Sequence, residues 1–248
     1  MTATIPIDYE VTAGGRFTGE LRVPGDKSIS HRSVMLGALA EGVTTATGLL
    51  EGEDVLCTVG AFRAMGVHID GPHAGQVRIT GVGLRGLKPP ATPLDMGNSG
   101  TAMRLMAGIL AGQAFDATLI GDGSLSKRPM RRVADPLAAM GARIETGDGG
   151  RPPLRIYGGR TLSGIDYALP VPSAQVKSAL LLAGLYAKGQ TRITEPAPTR
   201  DHTERMLRAL GYAVDTDGAR VALQGGGRLR GGSFDVPADI SSAAFFLV

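Results

Sequence analysis

One unit recurs along this chain, too slowly for a solenoid. Each copy opens on a short apolar run, turns, and enters a helical pattern of small and apolar residues. The first reads Leu21-Arg22-Val23-Pro24, with a helix running to Ala40 and Gly42. The second reads Leu94-Asp95-Met96-Gly97-Asn98, with a helix over 101–111 and then Gly112. The third reads Ala168-Leu169-Pro170-Val171-Pro172-Ser173, with a helix to Ala187 and Gly189. A second helix in each copy ends alike, on Ala64-Met65-Gly66-Val67, Ala139-Met140-Gly141-Ala142 and Ala209-Leu210-Gly211-Tyr212. The three glycines stand where a left-handed C-cap belongs. They are 75 and 70 residues apart, beyond the period of solenoid repeats.

Within a copy the order reads strand, helix, strand, helix, strand, strand. The middle strands are expected at Thr44-Thr45-Ala46-Thr47, Ala117-Thr118-Leu119-Ile120 and Thr191-Arg192-Ile193-Thr194. The closing hairpins pair 68–69 with 77–79, 143–144 with 154–156, and 213–214 with 220–223, each across a Gly-rich turn. The expected fold class is therefore α/β: three βαβαββ repeats in one lobe, helices inside and sheets outside. A fourth copy opens at Phe234-Asp235-Val236-Pro237-Ala238-Asp239-Ile240-Ser241-Ser242 and leads into an apolar helix over 243–248. The expected organisation is an N-terminal strand segment over 1–18 packing with a second lobe, a three-repeat lobe over 19–233, and the truncated start of the second lobe over 234–248. Cover for the apolar end is expected from that second lobe.

Composition excludes several classes. With 26 Lys and Arg against 23 Asp and Glu, net charge is only +3, too mild for a nucleic-acid surface, and no basic run occurs. Cys57 is the single cysteine, so neither a disulfide framework nor a Cys-based metal site can form within the chain. The first ten residues lack a basic region followed by an apolar core. The apolar run 179–187 is too short to span a bilayer. A reducing, cytoplasmic setting is expected.

The chemistry concentrates in Pro24-Gly25-Asp26-Lys27-Ser28-Ile29-Ser30-His31-Arg32. Asp26, Ser28 and Ser30 can each cap a helix start. Unpaired N–H groups of the first turn can hold an anion, and Lys27 and Arg32 add positive charge there. The plainer alternative is a capped helix start with a solvated Lys.

Four motifs in order carry a resemblance: residues 24–32, Gly97-Asn98-Ser99-Gly100-Thr101, Ser126-Lys127-Arg128-Pro129-Met130, and Ser173-Ala174-Gln175-Val176-Lys177-Ser178. Together they resemble the EPSP synthase (3-phosphoshikimate 1-carboxyvinyltransferase) family from about Gly19 to the last residue. The resemblance implies a two-lobed enzyme with its active site between the lobes. It implies transfer of the carboxyvinyl group of phosphoenolpyruvate to the 5-hydroxyl of shikimate 3-phosphate, with release of phosphate, on the route to chorismate and aromatic amino acids. No cofactor, metal, nucleic acid or membrane is implied; the complete protein is expected to be a monomer and a glyphosate target, with Gly100 leaving room for the inhibitor. By resemblance, Lys27 is catalytic and contacts both substrates. Asn98, Gly100, Thr101, Arg128 and Gln175 bind phosphoenolpyruvate. Ser28, Arg32, Ser173, Ala174, Gln175 and Arg200 bind shikimate 3-phosphate. Ala174 stands where other members carry a second Ser.

Each residue has a plainer reading. Asn98 and Ser173 could be N-caps alone. Lys127, Arg131 and Arg132 read as surface charge, and Arg104 is a candidate for the cleft. Glu51, Glu53 and Asp54 read as caps of the second helix; Asp201, His202 and Glu204 read as a first-turn charge pattern rather than a metal site; Cys57 reads as a buried small side chain. Three rivals remain. A UDP-N-acetylglucosamine enolpyruvyl transferase would carry Asn after the site Lys and a Cys in the loop 122–126, where this chain has Ser28 and no Cys. A non-catalytic substrate-binding lobe is the second. A nucleotide-binding α/β domain is the third, and it lacks its Gly-x-x-x-x-Gly-Lys-Ser/Thr motif here.

Overall fold

A computed structural model describes residues 18–247, with Glu10 and Gly14 before them; the segment expected to pack with a second lobe lies almost wholly outside the described residues. The first repeat contains α1 (Lys27–Leu39), β1 (Glu41–Thr47), α2 (Glu53–Ala64), β2 (His68–His73) and β3 (Gln76–Val82). The second contains β4 (Leu94–Asp95), α3 (Gly100–Ala111), β5 (Ala117–Ile120), α4 (Arg131–Ala139), β6 (Arg143–Gly147) and β7 (Arg151–Tyr157). The third contains β8 (Asp166–Ala168), α5 (Ala174–Gly184), β9 (Gln190–Thr194), α6 (His202–Ala209), β10 (Asp215–Asp217) and β11 (Arg220–Gln224). Then come β12 (Ser233–Asp235) and α7 (Ile240–Leu247). Gly66, Gly141 and Gly211 have φ of 86°, 100° and 81°, the left-handed caps that the repeat required.

The described residues form three sheets of one design, ordered β4-β5-β7-β6, β8-β9-β11-β10 and β12-β1-β3-β2. In each, the opening strand runs parallel to the middle strand, and the other pairs are antiparallel. The first sheet corrects one expectation. Residues 20–23 are not its opening strand; β12 takes that place, pairing Thr45 with Ser233 and Thr47 with Asp235. The boundary expected at 233/234 therefore cuts through a strand of the first sheet. The reason is burial. Leu21 is 64% exposed, whereas β12 sets Phe234 against the core and leads into fully buried Val236. The displaced segment runs beside the same stretch: Asp26 N–H donates to Pro237 O at 2.8 Å, and Asp239 N–H donates to Pro24 O at 2.9 Å.

The core lies between the sheets, where α1, α3 and α5 pack with almost every residue buried. α3 and α5 are largely apolar on all sides, as befits helices with no water-facing side, whereas α1 also buries Ser30, His31, Arg32 and Ser33. α3 and α5 approach so closely that a Cβ at Gly108 would lie 2.2 Å from the Ala179 carbonyl oxygen. Among the described residues no helix is long and apolar enough to cross a membrane.

The helix contact makes a stability prediction. Gly108→Ala must push α3 off α5, and overpacking of a tight core costs about 1–3 kcal/mol. Urea unfolding of the variant is expected to show a loss of that size; an unchanged midpoint would mean that the contact is looser than described.

Candidate active site

Three helix starts meet at one end of the lobe, and side chains lace them together. Asp26 caps α1, its carboxylate accepting from Ile29 N–H at 2.8 Å. Ser30, an alternative cap in the sequence, instead donates to Asp26 O at 2.8 Å and accepts from Leu50 N–H at 3.0 Å. Ser99, not Asn98, caps α3 through Ala102 N–H. Ser173 caps α5 through Val176 N–H at 3.4 Å. The second helices pack around these three without sharing their burial.

Lys27 and Ser28 occupy the first turn of α1. Lys27 Nζ donates to Asp54 Oδ2 at 3.0 Å, and the Lys side chain stays half exposed. Asp54 is thus a partner of the candidate catalytic Lys; Gly52 sits at the N-cap of α2 without a side-chain cap bond, and Glu51 accepts from Gly75 N–H instead. Arg32 lies beneath the same turn, 4% exposed. It donates from Nε to Thr203 Oγ1 at 2.7 Å, from Nη2 to Ser178 Oγ at 2.8 Å, and from Nη1 to Ser28 O at 2.8 Å. Burial pushes its pKa down to about 10, against the pull of Glu204 and Asp26. It therefore braces α1, α5 and α6 together.

The second cluster surrounds the α3 start. Asn98 donates to Asp122 Oδ2 at 2.7 Å, and its carbonyl oxygen accepts from Arg128 Nη2. Asp122 also accepts from Ser124 and Leu125 N–H. These bonds, Leu125 foremost, hold its carboxyl below the usual range. A Cβ at Gly100 would stand 2.9 Å from Arg104 Nη1 and 3.1 Å from Arg128 Nη1, so glycine lets two guanidinium groups close on the helix start. Gln175, on the first turn of α5, joins the helices: Nε2 donates to Thr101 Oγ1 at 2.9 Å, and Oε1 accepts from Arg104 Nη1 at 2.7 Å. Burial, then Arg132 and Arg128, lower the Arg104 pKa. Ala174 is the first residue of α5 and half-buried. Arg200 is exposed in the loop before α6, and its charge adds a smaller push to the lowering that burial causes at Arg32 and His202. It makes no hydrogen bond or ion pair among the described residues.

Asn98, Thr101, Arg128 and Gln175 are thus tied into one cluster with Arg104. Lys27 with Ser28, and Arg200, reach the same end by their places on α1 and before α6. Sequence reasoning missed several partners. Glu204, read as part of a first-turn charge pattern, is 1% exposed, and so is the side chain of Lys177. Lys177 Nζ lies 2.7 Å from Glu195 Oε2 and 2.7 Å from Glu204 Oε1. The Glu204 approach is an ion pair without hydrogen-bond geometry, since both Glu204 oxygens lack a hydrogen bond among the described residues. Cys57 is only partly buried, and burial followed by Asp95, Asp54 and Glu53 raises its pKa. A cavity of about 520 Å³ opens elsewhere, lined by Leu39, Glu41, Leu185 and Tyr186. It sits where α1 and α5 end, and the carbonyl ends of helices repel anions.

Fold and site together define a three-repeat α/β lobe that gathers three helix starts and several cations at one end. Comparison with known proteins makes the class specific. Residues 11–248 match the family model of EPSP synthase (3-phosphoshikimate 1-carboxyvinyltransferase), and the chain belongs to that family. It is 69% identical to the 3-phosphoshikimate 1-carboxyvinyltransferase of Alkalilimnicola ehrlichii over 98% of this chain and 54% of that protein. It is also 69% identical to that of Methylococcus capsulatus, over 95% of this chain and 54% of that one. The solved EPSP synthase of Acinetobacter baumannii superposes with a TM-score of 0.89 at 62% identity, covering 92% of this chain and 52% of that one. The chain spans about half the length of these relatives.

Two predictions rest on the buried charges. Lys177→Met leaves two carboxylates without their cation in the core, which costs about 3–5 kcal/mol. Lys27→Met opens an exposed pair and costs about 1 kcal/mol or less. Chemical denaturation of both variants reads the contrast; equal losses would contradict it. The second concerns pH. His31 is fully buried, and desolvation lowers its pKa from 6.5 to about 4. Between those values the unfolded chain binds more protons, so stability falls as pH falls through that window. From pH 7 to pH 5 the loss from this group is about 2 kcal/mol. His31→Gln is expected to lack that component; a wild-type midpoint flat across the range would refute it.

Proposed function

We propose that this chain is the substrate-receiving lobe of an enzyme that transfers the carboxyvinyl group of phosphoenolpyruvate to the 5-hydroxyl of shikimate 3-phosphate and releases phosphate. The observation that carries the reading is the convergence of the α1, α3 and α5 starts with Lys27, Arg104, Arg128 and Arg200 on one face. The two substrates bring two phosphates and two carboxylates, and bringing such charge together needs oriented N–H dipoles and several cations. In this reading Lys27 reaches both substrates as the catalytic cation. Asn98, Gly100, Thr101, Arg128 and Gln175 receive phosphoenolpyruvate, the glycine allowing close backbone approach. Ser28, Ser173, Ala174, Gln175 and Arg200 receive shikimate 3-phosphate.

Arg32 takes a modified role. It faces the substrate through the first turn of α1, which it pins from below, and only its remaining N–H groups are left for the ring carboxylate. The opposing face, with the carboxylates that handle protons, belongs to the half of the relatives' length outside this chain. The lobe then closes at β12, and α7 leads towards the second lobe. The setting is the cytoplasm.

The test is calorimetric titration of this chain with shikimate 3-phosphate, with UDP-N-acetylglucosamine as control. Heat with the first ligand alone is expected. Heat with the sugar nucleotide alone would replace this reading with the sister transferase.

A further inference from the structure

His31 is a fully buried member of the first motif that no substrate role absorbs. It is 0% exposed and stands where α1, α2 and α3 meet. Nδ1 lies 2.8 Å from Thr58 Oγ1 on α2, and Nε2 lies 3.1 Å from Ser99 Oγ, the cap of α3. The ring contacts by themselves admit either tautomer, and we assign the proton from the Thr58 hydroxyl. Thr58 spends its own hydroxyl hydrogen on Asp54 O at 3.4 Å, so its oxygen accepts from His31 Nδ1–H. A neutral imidazole then offers Nε2 as an acceptor to Ser99 O–H. Ser99 Oγ in turn accepts from Ala102 N–H at 3.1 Å. Every member donates once in the same direction, from Ala102 N–H through Ser99, His31 and Thr58 to the Asp54 backbone. The Asp54 carboxylate is what holds Lys27.

We propose that His31 is a positioning residue: in its Nδ1–H form it orients the Ser99 cap, and so the Gly100 and Thr101 amides, and ties that turn to the helix whose Asp54 holds Lys27. This rests on the functional reading above and deepens it, because those amides are assigned to phosphoenolpyruvate and that Lys to both substrates. Shikimate 3-phosphate shares Lys27 and Gln175 but also draws on the Ser173 cap of α5 and on Arg200, which the relay does not touch. Loss of His31 therefore weakens phosphoenolpyruvate more than shikimate 3-phosphate.

The experiment uses this chain labelled with 15N. Long-range histidine spectra are expected to show one imidazole, lost in His31→Leu, as the Nδ1–H tautomer. In His31→Leu the Gly100 and Thr101 amide signals are expected to shift more than those of the remaining core. His31→Gln, whose terminal oxygen reaches the place of Nε2, should return them towards wild type. With shikimate 3-phosphate present, His31→Leu should raise the phosphoenolpyruvate dissociation constant on the order of tenfold, the effect of about one lost hydrogen bond. The shikimate 3-phosphate constant should stay within about twofold. An Nε2–H tautomer, amide shifts spread evenly over the core, or equal weakening of both ligands would overturn the proposal. If the wild-type chain binds neither ligand, the functional reading fails, while the tautomer and the amide shifts still decide the role of His31.

Discussion

The constraint on which this lobe depends is that three buried helices lie inside it, with their starts at one end. A helix without a wet face must be covered all round, and three four-stranded sheets supply the cover. The close contact at Gly108 and Ala179 sets the spacing of α3 and α5. From that spacing Gln175 can reach Thr101 and Arg104 at once. Packing that looks purely structural therefore sets hydrogen bonds at the candidate site. The three helix starts bring partial positive charge to one face, which no single repeat could do.

Such a face has to be stabilised against its own charge. Arg32, Arg104, Arg128, Lys27 and Arg200 crowd one end of the lobe, and burial followed by the like charges of Arg132 and Arg128 lowers the pKa of Arg104. The chain answers with carboxylates at several depths. Asp54 meets Lys27 near the surface, Asp122 steadies the Asn98 that holds Arg128, and Glu204 lies beneath Arg32. Lys177 then partners the deep carboxylates Glu195 and Glu204. Buried ions of this kind add little net stability compared with apolar packing. Their consequence here is geometric: α1, α5 and α6 cannot slide without breaking the bonds from Arg32 to Ser178 and Thr203.

The repeat was legible because it is written in local signals, namely left-handed glycines, turn residues and apolar periodicity. Order, type and approximate bounds of the helices and strands followed from those. The opening strand of the first sheet did not, because 20–23 and 233–235 carry similar short patterns. Only the burial of Phe234 and Val236 across more than 200 residues of chain separates them. The candidate site divided in the same way. Lys27, Asn98, Arg128 and Ser173 sit in motifs at helix starts and could be picked out from sequence. Glu204, Asp54 and His31 could not, since each looks like an ordinary capping or helical residue until a partner on another helix is brought beside it.

That division says something about how the site is built. The motif residues reach their helix starts by local rules, one start at a time. What aligns the starts with one another is a layer below, made of Arg32, His31, Gln175 and Lys177, each bridging two or more helices. A face for anions needs both levels: dipoles and cations in the first, and fixed relative positions in the second. Substitutions in the lower layer should consequently shift the helix starts relative to one another while leaving the exposed groups at each start in place. The face remains open on the side away from the sheets. Lys27 and Arg200 keep exposed side chains there, in a chain that spans about half the length of its relatives.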